Sequence, residues 1–519
     1  DTVVDSGLHR EPRYDPRTGV TRLRTVRVSR SAAVQRAGRA GRLRPGRCFR
    51  LWSEAQQGQL AEQRVAEILQ ADLAPMVLQL LAWGESDPAA LRWLNPPPAA
   101  AFAQALELLT SLGALKSASG SARCLNAHGE AMSRLPLHPR LAHMVLRGAS
   151  SGMLDLACKL AALLAERDPF PGLGVNIADR LPMLGGPRVT ANAGEKAAET
   201  AWRQRVRKQA RALRAQVARL PRSVQPQGER PVADAAPGAL LAVAFPDRVA
   251  RRREPGSAIY QLANGRAAVL SDSDPLLSSE WLVVCDSGGL QGQAHDRIYS
   301  AAPLAAHYLD PGDSTGLLAD LVSWQEFAFW DEKQGRFVAQ RRAMCGALTV
   351  ASEPLDSVAP DARREALLAF LARQELQPLP WTDELRQWQQ RVALLLRCWE
   401  GGDDERNPWP DVSDRALLED LPQWLGAALD PVHNLRDLQR LDLAGLLSVK
   451  LPWPLRRLLD EQAPSHWRAP TGTRIRIDYS QQSPSISVRL QEMFGCGCGP
   501  VLAWGRVPVV VQLLSPAGR

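Results

Sequence analysis

The chain has 519 residues, of which 45% are hydrophobic, and its formal net charge is +8. This length exceeds what a single hydrophobic core supports, so we expect roughly three to five domains. No apolar run reaches the roughly 18 residues that a membrane span requires, which argues against a membrane protein. Eight scattered cysteines suit the reducing environment of the cytoplasm.

Both ends of the sequence suggest a piece of a longer protein. Residues Asp1 to Val4 lack the basic and apolar regions of a signal peptide, lack a starting methionine and open on a strand-like run. The last residues, VPVVVQLLSPAGR, stop abruptly. We therefore expect a fragment that is truncated at both ends.

The cysteines do not predict a metal site. Only Cys496 and Cys498 lie close together, as C-x-C in a glycine-rich stretch. A zinc site needs about four ligands, and the sequence offers no second pair with suitable spacing. Two free thiols in a turn are therefore the favoured interpretation, and we predict no bound metal ion.

The positive charge is concentrated at the N-terminal end. Residues 1–50 contain thirteen arginines and four acids, a balance of +9, so the remaining 469 residues sum to −1. This asymmetry predicts a local contact with a polyanion rather than a generally basic protein.

The first elements along the chain read as a strand followed by a hairpin. The run TVVDSGL, residues 2–8, predicts a buried parallel strand that ends in a loop. Residues 15–19, DPRTG, have strong turn chemistry between two extended flanks, which predicts a β-hairpin. The hairpin is either a solvated, charged edge or a contact to a nucleic-acid backbone. The residues proposed for that contact are Arg10, Arg13, Arg17, Arg22 and Arg24.

A helix with an unusual composition follows. Ser29 and Ser31 are candidate N-caps, and the run AVQRAGRAGR, residues 33–42, places Gln35, Arg39 and Arg42 on one helical face. Two glycines cost a helix about 2 kcal/mol relative to alanine, so the close approach of a ligand or a neighbouring domain is the expected reason for them. Two guanidinium groups one turn apart suit a phosphoryl group, as an arginine finger requires.

The stretch QRAGRAGR, residues 35–42, resembles helicase motif VI of superfamily 2, in the form typical of DEAH-box RNA helicases. Its position behind VVDSGL and a basic hairpin also matches that group. The resemblance implies that Arg39 and Arg42 are catalytic arginine fingers. It further implies that Gln35, with Gly38 and both fingers, contacts the phosphates of ATP, and that the hairpin separates nucleic-acid strands. The implied cofactor is ATP with Mg²⁺, and the implied partner is nucleic acid, with RNA favoured.

Two helicase motifs do not occur in this sequence. It contains neither the phosphate-binding pattern G-x-x-x-x-G-K-[ST] nor a D-E-x-H tetrapeptide for Mg²⁺. In the family both motifs lie in the first RecA-like domain. We therefore expect the main ATP–Mg²⁺ residues to lie upstream of this chain, and we do not expect the chain alone to hydrolyse ATP.

Helical patterns dominate the next 170 residues. Residues 61–84 predict a helix with Asp72 as a cap, and residues 94–115 predict one that begins at prolines and ends at Gly113. These two stretches resemble the winged-helix domain of DEAH-box proteins, and residues 125–148 resemble the start of the family's helical bundle, or ratchet. Histidines 128, 138 and 143 have no metal-site spacing and are interpreted as ordinary core or surface residues. A basic helix over residues 200–221 is either a solvated face or a phosphate contact.

Residues 223–238 read as a linker by composition. A helix and then short strands follow to about Val350, with a turn at Asn264-Gly265 and one strand around Trp281. This part resembles the OB-type barrel of DEAH-box proteins, and DRVARRR, residues 247–253, resembles bacterial HrpB-type helicases in particular. The candidate RNA-backbone contacts here are Arg248, Arg251, Arg252 and Arg253.

The final 170 residues strengthen the narrower resemblance. Residues 367–397 predict a helix, and residues 409–425 and 477–495 look like the C-terminal region specific to HrpB-type proteins. One exposed tryptophan in this region could stack on a base, although the sequence does not indicate which.

The predicted fold is therefore multidomain, α/β and α+β. We predict the C-terminal part of a second RecA-like domain at 1–53, a winged helix at 54–124, a helical bundle at 125–222, an OB-like β-barrel at 223–350 and an α+β HrpB-type C-terminal domain at 351–519. The leading functional hypothesis is the C-terminal portion of an ATP-dependent RNA helicase. The alternative is a non-catalytic nucleic-acid-binding or scaffold protein derived from a helicase.

Overall fold

The structure, a computed structural model, describes residues 1–15, 20–116, 123–170, 172–186, 193–221, 236–289, 295–312, 316–355, 358–400 and 407–515. The chain divides into two compact units. The first comprises Asp1–Trp324 and Ala343–Ala351, and the second comprises Gln325–Arg342 and Ser352–Arg519.

The chain begins with a parallel strand pair, a hairpin and a short helix. The first strand is parallel to the fourth, as predicted, but the prediction that it is buried is wrong. Val4 is 65% exposed because only one described strand pairs with this strand. The predicted hairpin is confirmed, with turn residues 16–19 outside the described residues. The elements are β1 (Thr2–Asp5), β2 (Leu8–Asp15), β3 (Val20–Arg27), α1 (Arg30–Gly38), β4 (Arg47–Arg50) and α2 (Glu54–Gly58).

Seven helices then form the largest apolar core of the first unit. The helix predicted at residues 61–84 is shorter than expected, and its N-cap is Leu73 rather than the predicted Asp72, although the Asp72 carboxylate accepts a hydrogen bond from the Ala74 amide at 2.9 Å. The next helix begins after Pro98 and is followed by Gly113, whose positive φ of 64° stops it as predicted. The helices are α3 (Ala74–Trp83), α4 (Ala99–Ser111), α5 (Ala127–Ser133), α6 (Pro139–Ser150), α7 (Leu154–Ala165), α8 (Ala193–Val217) and α9 (Ala236–Ala244).

Helix α9 corrects the predicted linker. Residues 236–238 belong to this fully buried helix rather than to a linker, whereas residues 223–235 lie outside the described part of the chain. Gly238 is required in α9 because a Cβ atom there would lie 2.0 Å from the Pro303 carbonyl oxygen. The helix therefore packs directly against the strand that ends at Pro303.

A closed five-stranded barrel follows helix α9. Its strand order is β5-β6-β7-β9-β8, and its interior is filled by side chains such as Tyr260, Leu282 and Ile298. Gly265 adopts a φ of 82° in the predicted turn between the second and third strands. The strands are β5 (Val249–Arg252), β6 (Ile259–Leu262), β7 (Ala267–Val269), β8 (Trp281–Gly288) and β9 (Asp296–Pro303).

Three further strands follow, and the boundaries between the two units fall within them. The second unit then continues with short helices and small sheets. The helix predicted at residues 367–397 is two helices, because Glu375 and Leu376 adopt positive φ values of 49° and 63° between them. The strands are β10 (Ser323–Asp331), β11 (Arg336–Cys345) and β12 (Leu348–Pro354). The remaining helices are α10 (Pro360–Arg373), α11 (Asp383–Cys398), α12 (Asp414–Glu419), α13 (Leu421–Leu425), α14 (Leu435–Gln439), α15 (Leu443–Val449) and α16 (Trp453–Gln462). The remaining strands are β13 (His466–Arg468), β14 (Arg474–Arg476), β15 (Ser485–Arg489), β16 (Val501–Leu502), β17 (Val507–Pro508) and β18 (Val510–Leu514).

Among the residues described, no helix combines the length and the apolar character needed to cross a membrane.

Candidate nucleotide and nucleic-acid sites

Helix α1 is fixed at its start by a cap and a small core. The Ser29 hydroxyl accepts a hydrogen bond from the Ala32 amide at 3.2 Å, so Ser29 is the N-cap. Val28, Ala32 and Ala33 pack against Leu60 in a small buried cluster. The helix therefore has a defined position from which its last turn projects.

Arg36 has a structural partner. Its guanidinium donates to the Asp5 carboxylate at 2.8 Å and to the Leu8 carbonyl at 3.2 Å. Only 1% of the Asp5 side chain is exposed, and its carboxylate also accepts a hydrogen bond from the Gly7 amide at 3.0 Å. Arg36 thus joins α1 to the end of β1 and orients the residues on either side of it.

The other polar residues of the motif point into solvent. Gln35, Arg39 and Arg42 are exposed, and none has a hydrogen-bond or ion-pair partner among the described residues. Helix α1 ends at Gly38 and continues as a 3₁₀ turn over Arg39–Gly41, with right-handed helical angles kept at Arg42. The predicted single α-helix is therefore shorter than expected and tightens at its end.

The glycines of the motif face open space. A Cβ atom at Gly38 or Gly41 would have no atom within 4 Å, whereas one at Gly46 would lie 2.0 Å from the Ala40 carbonyl oxygen. Gly46 is therefore required by the packing of this chain. Gly38 and Gly41 are not, and the space beside them is open to a ligand or another protein surface.

This arrangement can bind a phosphate group. Two guanidiniums without internal partners keep their donors available, and arginine binds phosphate oxygens through paired, charge-assisted hydrogen bonds. Among the described residues, no group of three His, Cys, Asp or Glu side chains could hold a metal ion. What Arg39 and Arg42 offer to a phosphate is positive charge and hydrogen-bond donors.

The hairpin formed by β2 and β3 presents arginines to solvent and is bonded to the rest of the protein at Leu8 and at Tyr14. Arg10 and Arg13 are exposed, and Arg24 is half-buried. The Tyr14 amide donates to the Gln70 carbonyl at 2.7 Å, and burial, with a smaller effect of the Asp72 charge, raises the pKa of the Tyr14 hydroxyl to about 12. Arg17 and the side chain of Arg22 lie outside the described residues.

The arginines of strand β5 have partners within the chain. The Arg251 guanidinium donates to Glu280 and to the Thr349 carbonyl, both at 2.9 Å, and lies 5.1 Å from the centre of the Trp281 ring. Arg253 donates to the Gln261 side chain at 2.7 Å. Arg252 is half-buried. A nucleic-acid contact at Arg251 would therefore have to compete with existing interactions.

Arg248 corrects the prediction of an RNA-backbone contact. It is 6% exposed and donates to the Cys285 carbonyl at 2.9 Å. Beside it, Arg140 forms a two-pronged ion pair with Asp247, at 2.6 and 3.1 Å. Burial lowers the pKa of Arg248, and the attraction of Arg140 leaves the pKa of Asp247 below its usual value despite burial. These charges join α6 to the barrel and are not available to a ligand.

Two of the three histidines form a pair that the sequence did not predict. His128 Nε2 and His143 Nδ1 are 2.7 Å apart, beside Arg147 in a cavity of about 530 Å³. Burial lowers the pKa of His128 to about 4 and that of His143 to about 3. His138 instead contacts Asp72 at 3.1 Å and caps α6. His128 lies on α5 and His143 on α6. The two residues therefore lack the i, i+3 or i, i+4 spacing by which a sequence reveals neighbours on one helix.

Two family profiles match the chain. The profile described as "ATP-dependent RNA helicase HrpB, connector region" matches residues 321–355, and that described as "ATP-dependent helicase C-terminal" matches residues 424–519.

Curated relatives extend the match over the whole chain. "ATP-dependent RNA helicase HrpB" of Escherichia coli (strain K12) is 38% identical over 521 residues, covering 100% of this chain and 59% of the relative. "Probable ATP-dependent RNA helicase DHX35" of Homo sapiens is 36% identical over 168 residues, covering 32% of this chain and 24% of the relative. The chain thus spans less than two thirds of the length of these relatives.

Solved structures agree with the sequence matches. "Crystal structure of E. coli DExH-box NTPase HrpB" has 36% sequence identity and a TM-score of 0.54, covering 100% of this chain and 59% of that chain. "Crystal structure of Escherichia coli DEAH/RHA helicase HrpB" has 34% identity and a TM-score of 0.57, covering 98% and 59%. The chain therefore has a mixed α/β multidomain fold similar to these structures.

Over its whole length the chain is therefore similar to DEAH-box helicases of the HrpB type, in agreement with the resemblance in its motifs.

Proposed function

We propose that this chain is the C-terminal portion of an ATP-dependent RNA helicase that couples ATP hydrolysis to movement on, or unwinding of, RNA. In this proposal Arg39 and Arg42 act as arginine fingers on the phosphates of ATP, and Gln35 contacts the same phosphates beside Gly38. The residues that bind most of ATP and its Mg²⁺ lie outside this chain. When bound, ATP supplies a phosphoryl group whose transfer generates the negative charge that guanidiniums stabilise.

The observation that carries the proposal is the contrast within one motif. Arg36 is held by a buried carboxylate, while Arg39 and Arg42 project into solvent without a partner among the described residues. Packing accounts for Arg36 but gives no reason for the other two. Unpaired, positioned guanidiniums beside two open glycines are what a phosphate-contacting surface requires.

The hairpin and the barrel provide the candidate contacts to RNA. We propose that Arg10, Arg13, Arg17, Arg22 and Arg24 contact the RNA backbone at the hairpin, supported by the exposed side chains of the first two. The closed barrel of β5 to β9 supports the OB-like assignment, with Arg251, Arg252 and Arg253 at its surface as secondary contacts. Location in the cytoplasm is part of the same proposal, supported by eight free cysteines.

The alternative of a non-catalytic scaffold is not favoured. The relatives reported above carry names of ATP-dependent RNA helicases, and the match to the E. coli protein runs through the entire chain. A scaffold would also leave the exposed Arg39 and Arg42 without a purpose.

The test is RNA-stimulated ATP hydrolysis by a protein that joins this chain to the remaining segment of E. coli HrpB. Arg39→Ala and Arg42→Ala should each lower turnover about 10³-fold or more, because an arginine finger contributes about 10³ to 10⁵ in rate. Arg64→Ala provides the matched control, since Arg64 is an exposed arginine in the same region but outside the motif. Near-normal turnover in both motif variants would refute the finger assignment.

A further inference from the structure

The loop between β16 and β17 has an unusual backbone. Ala503, Trp504 and Gly505 have φ values of 51°, 57° and 82°, and the Arg506 amide donates to the Leu502 carbonyl at 3.1 Å. The loop is therefore one turn of left-handed helix. L-amino acids with side chains avoid this conformation, which glycine normally adopts as a single residue. Trp504 is a bulky residue at a position where glycine would be unstrained.

Helix α16 holds this turn in place. The Ala503 amide donates to the Gln462 main-chain carbonyl at 2.8 Å, and the Trp504 amide donates to the Gln462 side-chain oxygen at 2.8 Å. Ala503 is completely buried. The last residue of α16 thus fixes both strained residues, and the strain is maintained by specific contacts.

The consequence of this turn is the position of the Trp504 ring. Residue Trp504 is 38% exposed, and its ring packs edge-on against Trp399, with ring centres 5.6 Å apart. Trp399 Nε1 is inaccessible to solvent and has no hydrogen-bond partner among the described residues. Strained residues that expose a large aromatic ring indicate a function. If stability alone mattered, we would expect the ring to be buried or the position to be occupied by glycine.

A positive charge lies two residues from the ring. The Arg506 guanidinium donates to the Cys398 carbonyl at 2.8 Å and pairs with Glu400 at 3.1 Å. The Glu400 side chain is 76% exposed, so this ion pair is weak and a phosphate can compete with it. An exposed aromatic ring beside a fixed guanidinium suits a nucleotide, whose base stacks while its phosphate binds the cation.

We propose that Trp504, supported by Trp399 and Arg506, forms a stacking site for an unpaired base of single-stranded nucleic acid in the second unit. Trp504 provides the stacking surface, Trp399 orients it, and Arg506 binds the adjacent phosphate. The inference rests on the proposed function, since it assumes a nucleic-acid partner. It adds a binding site far along the chain from the N-terminal arginines.

The experiment uses the 519-residue chain and two labelled 12-nucleotide probes, an oligouridylate and an abasic strand of equal length. Fluorescence anisotropy titrations compare the wild type with Trp504→Gly. The variant should bind oligouridylate about five- to a hundredfold more weakly, the range that stacking contributes per base. Its affinity for the abasic strand should stay within about twofold, because the phosphates are unchanged.

Two controls separate binding from folding. Trp504→Gly should unfold within a few degrees of the wild type, since glycine relieves the left-handed strain while the contact with Trp399 is lost. Trp453→Ala removes a 74% exposed tryptophan from the same unit and should leave both affinities unchanged. Equal binding of oligouridylate by the wild type and Trp504→Gly would overturn the inference.

A second measurement locates the contact directly. An oligonucleotide carrying 5-iodouridine, irradiated in complex with the wild type, should crosslink to the peptide that contains Trp504. Crosslinks confined to other peptides would overturn the inference while leaving nucleic-acid binding intact. Failure of the wild type to bind either strand would instead contradict the nucleic-acid partner of the proposed function.

Discussion

At the scale of single residues, neighbouring arginines of one motif perform different tasks. Arg36 neutralises a carboxylate that is almost completely buried, whereas Arg39 faces solvent three residues later. A buried carboxylate without its cation is costly, while an exposed arginine contributes little to folding. The same residue type therefore stabilises the protein at one position and is free for a ligand at another.

This contrast predicts unequal effects of two alanine substitutions on stability. Arg36→Ala should lower the free energy of unfolding by about 2 to 4 kcal/mol, because it leaves the Asp5 carboxylate buried and unpaired. Arg39→Ala should change it by less than about 0.5 kcal/mol. Urea unfolding of both variants, with hydrogen exchange read in β1 and α1, measures the difference. Equal stability of the two variants would contradict the structural role of Arg36.

At the scale of elements, the sequence predicted those boundaries that local chemistry sets. The Ser29 cap, the prolines before α4 and the stop at Gly113 act through neighbouring residues, and all were found where predicted. The break between α10 and α11 was missed, because the leucine-rich pattern of residues 367–397 outweighed Pro378 and Pro380, which are local signals that end a helix.

For the basic helix α8, the sequence did not predict which residues its arginines contact. Its arginines were expected to face either solvent or phosphate, but several bond within the chain. Arg203 donates to the Met183 carbonyl at 2.9 Å, and Arg205 pairs with Glu166 at 3.0 Å. These partners are distant in sequence, so periodicity alone could not reveal them.

For the candidate sites the sequence was informative at the N-terminal end only. The run from Gln35 to Arg42 was identified by its resemblance to a helicase motif, and the structure adds which of its side chains are exposed. The stacking site at Trp504 had no such signal, because its strain and its contact with Trp399 depend on tertiary structure.

The histidine pair between α5 and α6 predicts a pH effect on stability. Histidine in the unfolded chain has a pKa near 6.5, whereas burial lowers the pKa of His128 to about 4 and of His143 to about 3. Between these values the unfolded state binds more protons, so acidification favours unfolding. Each histidine should reduce the free energy of unfolding by on the order of 2 kcal/mol as the pH falls from 7 to 5, so the pair should reduce it by on the order of 4 kcal/mol.

Urea unfolding at pH 7 and pH 5 measures this effect. The double variant His128→Gln, His143→Gln should lose less stability over that interval than the wild type, since neither side chain can then be protonated. His466→Gln, which changes an exposed histidine, serves as the control and should behave like the wild type. An unchanged pH dependence in the double variant would show that the pair does not titrate as inferred.

At the scale of the whole molecule, charge is distributed unevenly along the chain. Residues 1–50 carry +9, and the rest of the chain sums to −1. In the first fifty residues the exposed Arg10 and Arg13 lie on one hairpin strand. A long, flexible polyanion would therefore be attracted to this end first, and its binding should depend on local charge rather than on net charge.

The salt dependence of single-strand binding shows whether local charge at the hairpin or the net charge of the chain governs binding. Each phosphate contact contributes about 0.7 to the slope of log affinity against log salt concentration, because binding releases a counterion. Arg10→Ala with Arg13→Ala should therefore make the slope shallower by about 1.4.

The control is Arg415→Ala with Arg457→Ala, which removes the same charge from arginines that are 88% and 77% exposed and each paired with a glutamate. If net charge governed binding, both double variants would change the slope equally. If the hairpin contacts phosphates, only the first will, and anisotropy titrations from 50 to about 300 mM salt resolve a difference of this size.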